Sequence, residues 1–176
     1  MKNIFLLILI TFLVFSCQDQ DEIIFNGKDL KGWVNYGGGK FYAEDESIVA
    51  EAIMGLPNSF LHTKKKYQDF ELEFEVKLDT VLNSGVQIRS NIYDKDMETI
   101  RWGGRFDDDG EKLLMNKKWE AGRFWGYQIE IDPTSRSWSG SIYEEAGRGF
   151  LQTPGVNEKV RSAFKPLEWN HFRVRV

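Results

Sequence analysis

Phe70-Glu71-Leu72-Glu73-Phe74-Glu75-Val76-Lys77-Leu78 sets an apolar residue at every second position with a charge between each. Successive side chains of a strand point to opposite faces, so this stretch has one buried face and one wet face. Gly85 to Ser90 repeats the pattern more briefly, with Val86 and Ile88 on one side and Gln87 and Arg89 on the other. Tyr127, Ile129 and Ile131 alternate in the same way with Gln128, Glu130 and Asp132, and Ser141–Tyr143 and Phe172–Val176 read as further short strands. Short strands separated by Gly- and Asn-rich turns predict an all-β chain, a β-sandwich or jelly roll. Residues 91–125 are less regular, and Lys112 to Trp119 is expected to form a short helix or part of a long loop. The strand at 172–176 reaches the last residue with no turn after it, which would leave an open edge; the sequence is therefore expected to be a piece of a longer domain.

The chain has 176 residues, 23 Lys+Arg against 27 Asp+Glu, and a net charge of −4. That length suits one domain of ordinary size. An acidic balance without a Lys/Arg block argues against nucleic acid as a partner, because phosphate binding needs a basic face. Lys64-Lys65-Lys66 is too short for such a patch and reads as a solvated turn. A single cysteine rules out a disulfide within the chain and a Cys-rich zinc site.

That cysteine has a context of its own. Lys2 precedes an apolar run from Ile4 to Phe15, broken only by Thr11. The run is about 18 Å of helix, short of the roughly 30 Å hydrocarbon core, which makes it a secretory signal rather than a transmembrane span. Val14-Phe15-Ser16-Cys17 resembles the bacterial lipobox, whose cysteine becomes the lipid-bearing first residue. Residues 1–16 are thus expected to be a lipoprotein signal peptide and 17–23 a lipidated, acidic tether, with the folded domain at 24–176. The protein is expected to be exported and lipid-anchored to the bacterial outer membrane, on its periplasmic or cell-surface face.

Several motifs fail on their surroundings. Gly37-Gly38-Gly39-Lys40 is followed by Phe41 where a phosphate loop needs Ser or Thr. Asp107-Asp108-Asp109-Gly110 has calcium-loop flavour, but alignment with the helix-loop-helix pattern puts Arg105 at the first ligand and Asn116 at the last, leaving only a looser surface site. His62 and His171 have no cysteine partners and read as ordinary. Glu71, Glu73 and Glu75 with Lys77 read as solvent-facing charge.

Gln128, Glu130 and Asp132 are more informative. Residues i and i+2 of a strand share a face about 6.6 Å apart. Beside a second strand carrying Gln87 and Arg89, they would make a polar floor on one sheet. Trp102, Trp125, Trp138 and Tyr143 lie around it, and aromatic faces beside carboxylates suit sugars, which stack on them. Glu130-Ile131-Asp132 also resembles part of the catalytic strand of laminarinase-type glycosidases, but the second glutamate of that pair is replaced by Ser135. A retaining mechanism with paired carboxylates is therefore rejected on this strand.

Phe25-Asn26-Gly27-Lys28-Asp29-Leu30-Lys31-Gly32-Trp33, Asn83-Ser84-Gly85-Val86-Gln87-Ile88-Arg89-Ser90, Gly126-Tyr127-Gln128-Ile129-Glu130-Ile131-Asp132, Ser139-Gly140-Ser141-Ile142-Tyr143-Glu144-Glu145 and Trp169-Asn170 follow one another in the chain. In that order they resemble the 3-keto-disaccharide hydrolase family over residues 24–176. The resemblance implies a concanavalin-like β-sandwich and cleavage of glycosides already oxidised at sugar C3. A 3-keto group acidifies the C2 proton, so a carboxylate can remove it, the C1 oxygen leaves and water adds afterwards. On that expectation Glu130 or Asp132 is the base, Arg89 stabilises the enolate oxygen, and Tyr143 or water protonates the leaving group. Gln87, Gln128, Trp102, Trp125 and Trp138 would bind the substrate, a 3-keto-oligosaccharide or glycoside. No cofactor is implied, although a divalent metal in place of Arg89 stays an open alternative. The competing readings are a non-catalytic surface carbohydrate-binding module and, behind it, a structural or interaction domain.

Overall fold

The computed structural model describes residues 21–53, 55–79 and 82–176. The expected signal peptide, Cys17 and the first part of the expected tether lie outside the described residues. Among the described residues no helix is long and apolar enough to cross a membrane. The chain divides into two compact units, one ending at Lys66 and one running from Tyr67 to Val176.

The first unit holds β1 (Trp33–Tyr36), β2 (Lys40–Glu44), β3 (Ser47–Glu51) and β4 (Phe60–Thr63). β2 and β3 form an antiparallel hairpin closed by Asp45 and Glu46, both at positive φ, the backbone that a tight two-residue turn requires. β1 pairs antiparallel with β4.

The second unit contains β5 (Glu71–Val76), β6 (Ser84–Ile92), β7 (Met97–Phe106), β8 (Lys112–Trp119), β9 (Phe124–Ile131), β10 (Ile142–Glu145), β11 (Gly149–Gln152), the single turn α1 (Glu158–Arg161) and β12 (Asn170–Arg175). Six of these strands form one mixed sheet in the order β6-β9-β10-β11-β7-β8, while β5 pairs with β12. The class is all-β of the sandwich or jelly-roll kind, as the alternation predicts. β5 shows that alternation directly: its apolar residues are half-buried and its glutamates exposed, Glu71 bonding Arg173 and Arg175 across the ladder.

One element departs from expectation. Lys112–Trp119 is neither helix nor loop but the edge strand β8, paired antiparallel with β7 from Met97 opposite Trp119 to Phe106 opposite Lys112. Leu113, Leu114 and Met115 are all exposed, so β8 has no buried face and its sequence carries no period. Backbone pairing and the turn decide its conformation instead. In that turn Asp107 accepts the amide hydrogens of Asp109 and Glu111.

β11 meets β7 in a parallel pairing, Gly149 opposite Trp102. A Cβ on Gly149 would lie 2.1 Å from the Trp102 carbonyl oxygen, and its φ is +80°. Only glycine admits that approach. Among the described residues the buried apolar side chains are Trp102, Phe124, Ile129, Ile131, Ala146 and Phe150.

Candidate functional site

β9 lies between β6 and β10, and its register builds the site. Gln128 stands opposite Gln87 on one side and Tyr143 on the other, and Tyr143 stands opposite Phe150. Directly paired residues share a face, so these four form a row across four strands. Glu130 is two residues along β9 from Gln128, and Glu145 two along β10 from Tyr143. Both therefore share the face of the row, one carboxylate on each flank. Gly85 stands opposite Glu130, and a Cβ there would come within 2.4 Å of Gln128 Cγ. A Cβ on Gly126 would lie 2.8 Å from Gln87 Nε2. Two glycines thus clear the space that two glutamines occupy. The Gln87 amide nitrogen and oxygen are buried there with no hydrogen bond from the described residues.

Glu130 and Asp132 are 3% and 2% exposed, but their surroundings differ. Asp132 Oδ1 accepts from the Thr134 amide at 3.0 Å and its hydroxyl at 2.6 Å; Oδ2 accepts from Arg136 Nε at 2.7 Å and the Trp138 amide at 3.3 Å. A carboxylate has about four acceptor positions, and Asp132 has filled them all from its own loop. Burial opposes its ionisation, but the bonds from Thr134 and Arg136 outweigh burial and hold the carboxyl below its ordinary range. The Asp132 backbone amide also donates to Ser139 Oγ, tying the 132–139 connection to β9. Glu130 is less committed: Oε1 accepts from Asn83 Nδ2 at 2.9 Å and Arg136 Nη2 at 3.0 Å, while Oε2 accepts only from Gln128 Nε2, at 2.8 Å. Among the described hydrogen bonds, one acceptor position on Oε2 is unused.

Arg136 bridges the two carboxylates, and its guanidinium lies over Trp138 at 4.8 Å and Phe150 at 5.1 Å. Trp138 in turn packs edge-on against Phe150 at 4.8 Å, and Tyr143 against Phe150 at 4.7 Å. On the other flank Arg123 pairs with Glu145, and Arg101 donates to the Tyr143 hydroxyl. Burial pushes the Tyr143 phenol up; Arg101 opposes that rise, while the charges of Glu145 and Glu130 add to it. The phenol therefore holds its proton at neutral pH.

Of the residues singled out in the sequence, Gln87, Gln128, Glu130 and Tyr143 come together on this face, with Asp132 at its edge. Arg89 does not join them. It sits at positive φ in a bulge of β6 between Ile88 and Asn91, which breaks the alternation that would carry it onto the Gln87 face, and its guanidinium goes to Asp69 at 3.0 Å. Trp102 is only 5% exposed and belongs to the core; Trp125 stacks on Tyr93 at 5.7 Å; Trp138 packs beside Trp102 at 6.0 Å. Sequence reasoning gave no site role to Asn83, Arg101, Arg123, Glu145 or Arg136. Arg136 carried a faint signal, four residues past a buried aspartate in a Pro-Thr-Ser turn. Arg101 carried none. His62 and His171 lie in different units, and among the described residues no group of three His, Cys, Asp or Glu side chains could hold a metal.

The family model described as the 3-keto-alpha-glucoside-1,2-lyase-like domain matches residues 21–176. No curated protein matches the chain. The matched span includes every residue of the polar row and both carboxylates.

Proposed function

Because the chain belongs to the 3-keto-alpha-glucoside-1,2-lyase-like family, a family of carbohydrate-processing enzymes, we propose that it cleaves glycosides already oxidised to the ketone at sugar C3. The ketone acidifies the C2–H bond. Glu130 removes that proton, the bond's electrons form an enolate with the C3 oxygen, and collapse of the enolate expels the C1 oxygen. Tyr143 protonates the departing oxygen. Water then adds across the resulting C1–C2 double bond, so elimination followed by hydration amounts to hydrolysis.

The observation that supports Glu130 over Asp132 as the base is the unused acceptor position on its Oε2. All four positions of Asp132 serve its own loop, which suits it to hold Arg136 and Trp138 rather than to take a proton. Gln87, buried without a partner beside Gln128, suits a sugar hydroxyl, since an amide can both donate and accept. Residues 1–17 support export and a lipid anchor on Cys17, on sequence alone.

Glu130→Gln tests this assignment. A positioned base contributes about 10²–10⁴-fold, so turnover of a 3-keto-disaccharide should fall by that factor, with the circular-dichroism spectrum retained. A fall of less than tenfold moves the base elsewhere.

A further inference from the structure

Four of the arginines around the polar row are matched to carboxylates; Arg161, whose Nε is also buried without a partner among the described residues, bonds the Arg136 backbone carbonyl, whereas Arg101 bonds a side chain of the row itself. Arg136 pairs with Glu130 and Asp132, Arg123 with Glu145, Arg148 with Glu144 and Arg89 with Asp69. Arg101, half-buried on β7, forms no ion pair among the described residues. Its hydrogen bond goes to the neutral Tyr143 hydroxyl, and its Nε is buried with no partner. The guanidinium is nonetheless fixed, lying over the Trp119 ring at 5.4 Å and the Tyr143 ring at 5.5 Å. A half-buried cation with an idle donor and no counter-charge is unfavourable unless something anionic arrives to meet it.

We propose that Arg101 is the catalytic residue that receives the C3 oxygen as it becomes an enolate, a role that rests on the elimination reading above. Tyr143 stands between Arg101, which bonds its hydroxyl, and Gln128, which bonds Glu130. The base, the proton donor and the cation therefore follow one another across the sheet. Elimination needs that set around three adjacent ring carbons: a base at C2–H, a cation at the C3 oxygen and a proton donor at the C1 oxygen. As the C2–H electrons move into the C2–C3 bond, the carbonyl π electrons settle on the C3 oxygen. A guanidinium already desolvated and oriented stabilises that charge without reorganising. Arg89, committed to Asp69, is replaced in this role by a residue from another strand.

The test separates enolate formation from leaving-group departure. The full-length protein is incubated in deuterium oxide with a methyl 3-keto-glucoside, and NMR follows deuterium entering C2 and methanol released. Wild type should do both. Tyr143→Phe should keep C2 exchange within about fivefold and slow release. Arg101→Met should lose exchange by about a hundredfold or more, and Arg101→Lys, which keeps the charge but not the fork, should recover part of it. If Arg101→Met exchanges at the wild-type rate and loses only release, as Tyr143→Phe does, then Arg101 merely orients Tyr143 and the proposal is overturned. If Arg101→Met does not fold, Arg101→Lys decides: exchange at the wild-type rate overturns the proposal, and a tenfold or greater loss supports it. Absence of exchange in the wild type would overturn the elimination reading and this role with it. Exchange in the wild type and undiminished exchange in the variant would overturn Arg101 alone.

Discussion

Asp132→Asn is a one-atom change whose cost follows from the hydrogen-bond geometry. Both oxygens of the native side chain face donors: Thr134 N–H and O–H on one, Arg136 Nε and Trp138 N–H on the other. The asparagine NH2 must face one of these sides. Toward Oδ2 it would oppose two donors; toward Oδ1 it opposes only the Thr134 amide, because the Thr134 hydroxyl can rotate to accept. The second arrangement is cheaper. It leaves one donor unpaired, costing about 1–2 kcal/mol, and turns the Arg136 ion pair into a hydrogen bond to a neutral acceptor, costing about another 1–2 kcal/mol. The total of about 2–4 kcal/mol should lower Tm by about 5–15 °C for a domain of this size. The pH dependence has a fixed sign. A carboxyl held below its unfolded value of about 3.9 contributes stability that is complete above that value and is lost as pH falls through the lowered folded value. Urea unfolding of wild type and variant at pH 7 and pH 3 measures both quantities. A gap under 0.5 kcal/mol at pH 7, on the order of surface-substitution scatter, or one that widens toward pH 3, would refute the role given to Asp132.

Gly149→Ala should be the most damaging of the glycine changes, because its Cβ would lie 2.1 Å from a backbone carbonyl at positive φ; loss of soluble expression at 37 °C is expected, and recovery of folded protein with unchanged Tm would contradict the β11–β7 pairing. Gly85→Ala should act on the site as well as on stability, because its Cβ would also meet the Ile129 carbonyl oxygen at 2.7 Å. Its Cβ would displace Gln128 from 2.4 Å, so activity on a keto-disaccharide should fall at least tenfold, read beside a thermal melt of the same sample. Disrupting the Glu130 donors one at a time should also separate them: Asn83→Ala removes an exposed donor and should cost less stability than Arg136→Met, which leaves two buried carboxylates uncompensated, about 3–5 kcal/mol by chemical denaturation.

The strands that read well in the sequence are those with one wet face. β5 and the central part of β9 alternate because burial on one side selects apolar residues there, and that signal is local. β8 left no such trace: all its residues but Trp119 are exposed, and it is a strand because β7 pairs with it across a turn held by Asp107. The same logic divides the site. Gln128 and Glu130 share a strand, so period two finds them, and Gln87 and Tyr143 were found because short alternating stretches flank that strand. Arg89 was assigned to the same face by alternation, which a bulge at positive φ then interrupts. Arg101 reaches Tyr143 across the chain through sheet order β10-β11-β7, a long-range adjacency that no local spacing encodes.

The central claim is that the substrate must carry a ketone at C3. The most direct measurement incubates the full-length protein with a 3-keto-disaccharide and, separately, with its parent disaccharide, and follows released sugar by NMR. Release from the keto compound alone is the predicted result. Release from neither, with the protein folded and binding the sugar unchanged, would contradict the account and leave a carbohydrate-binding module in its place.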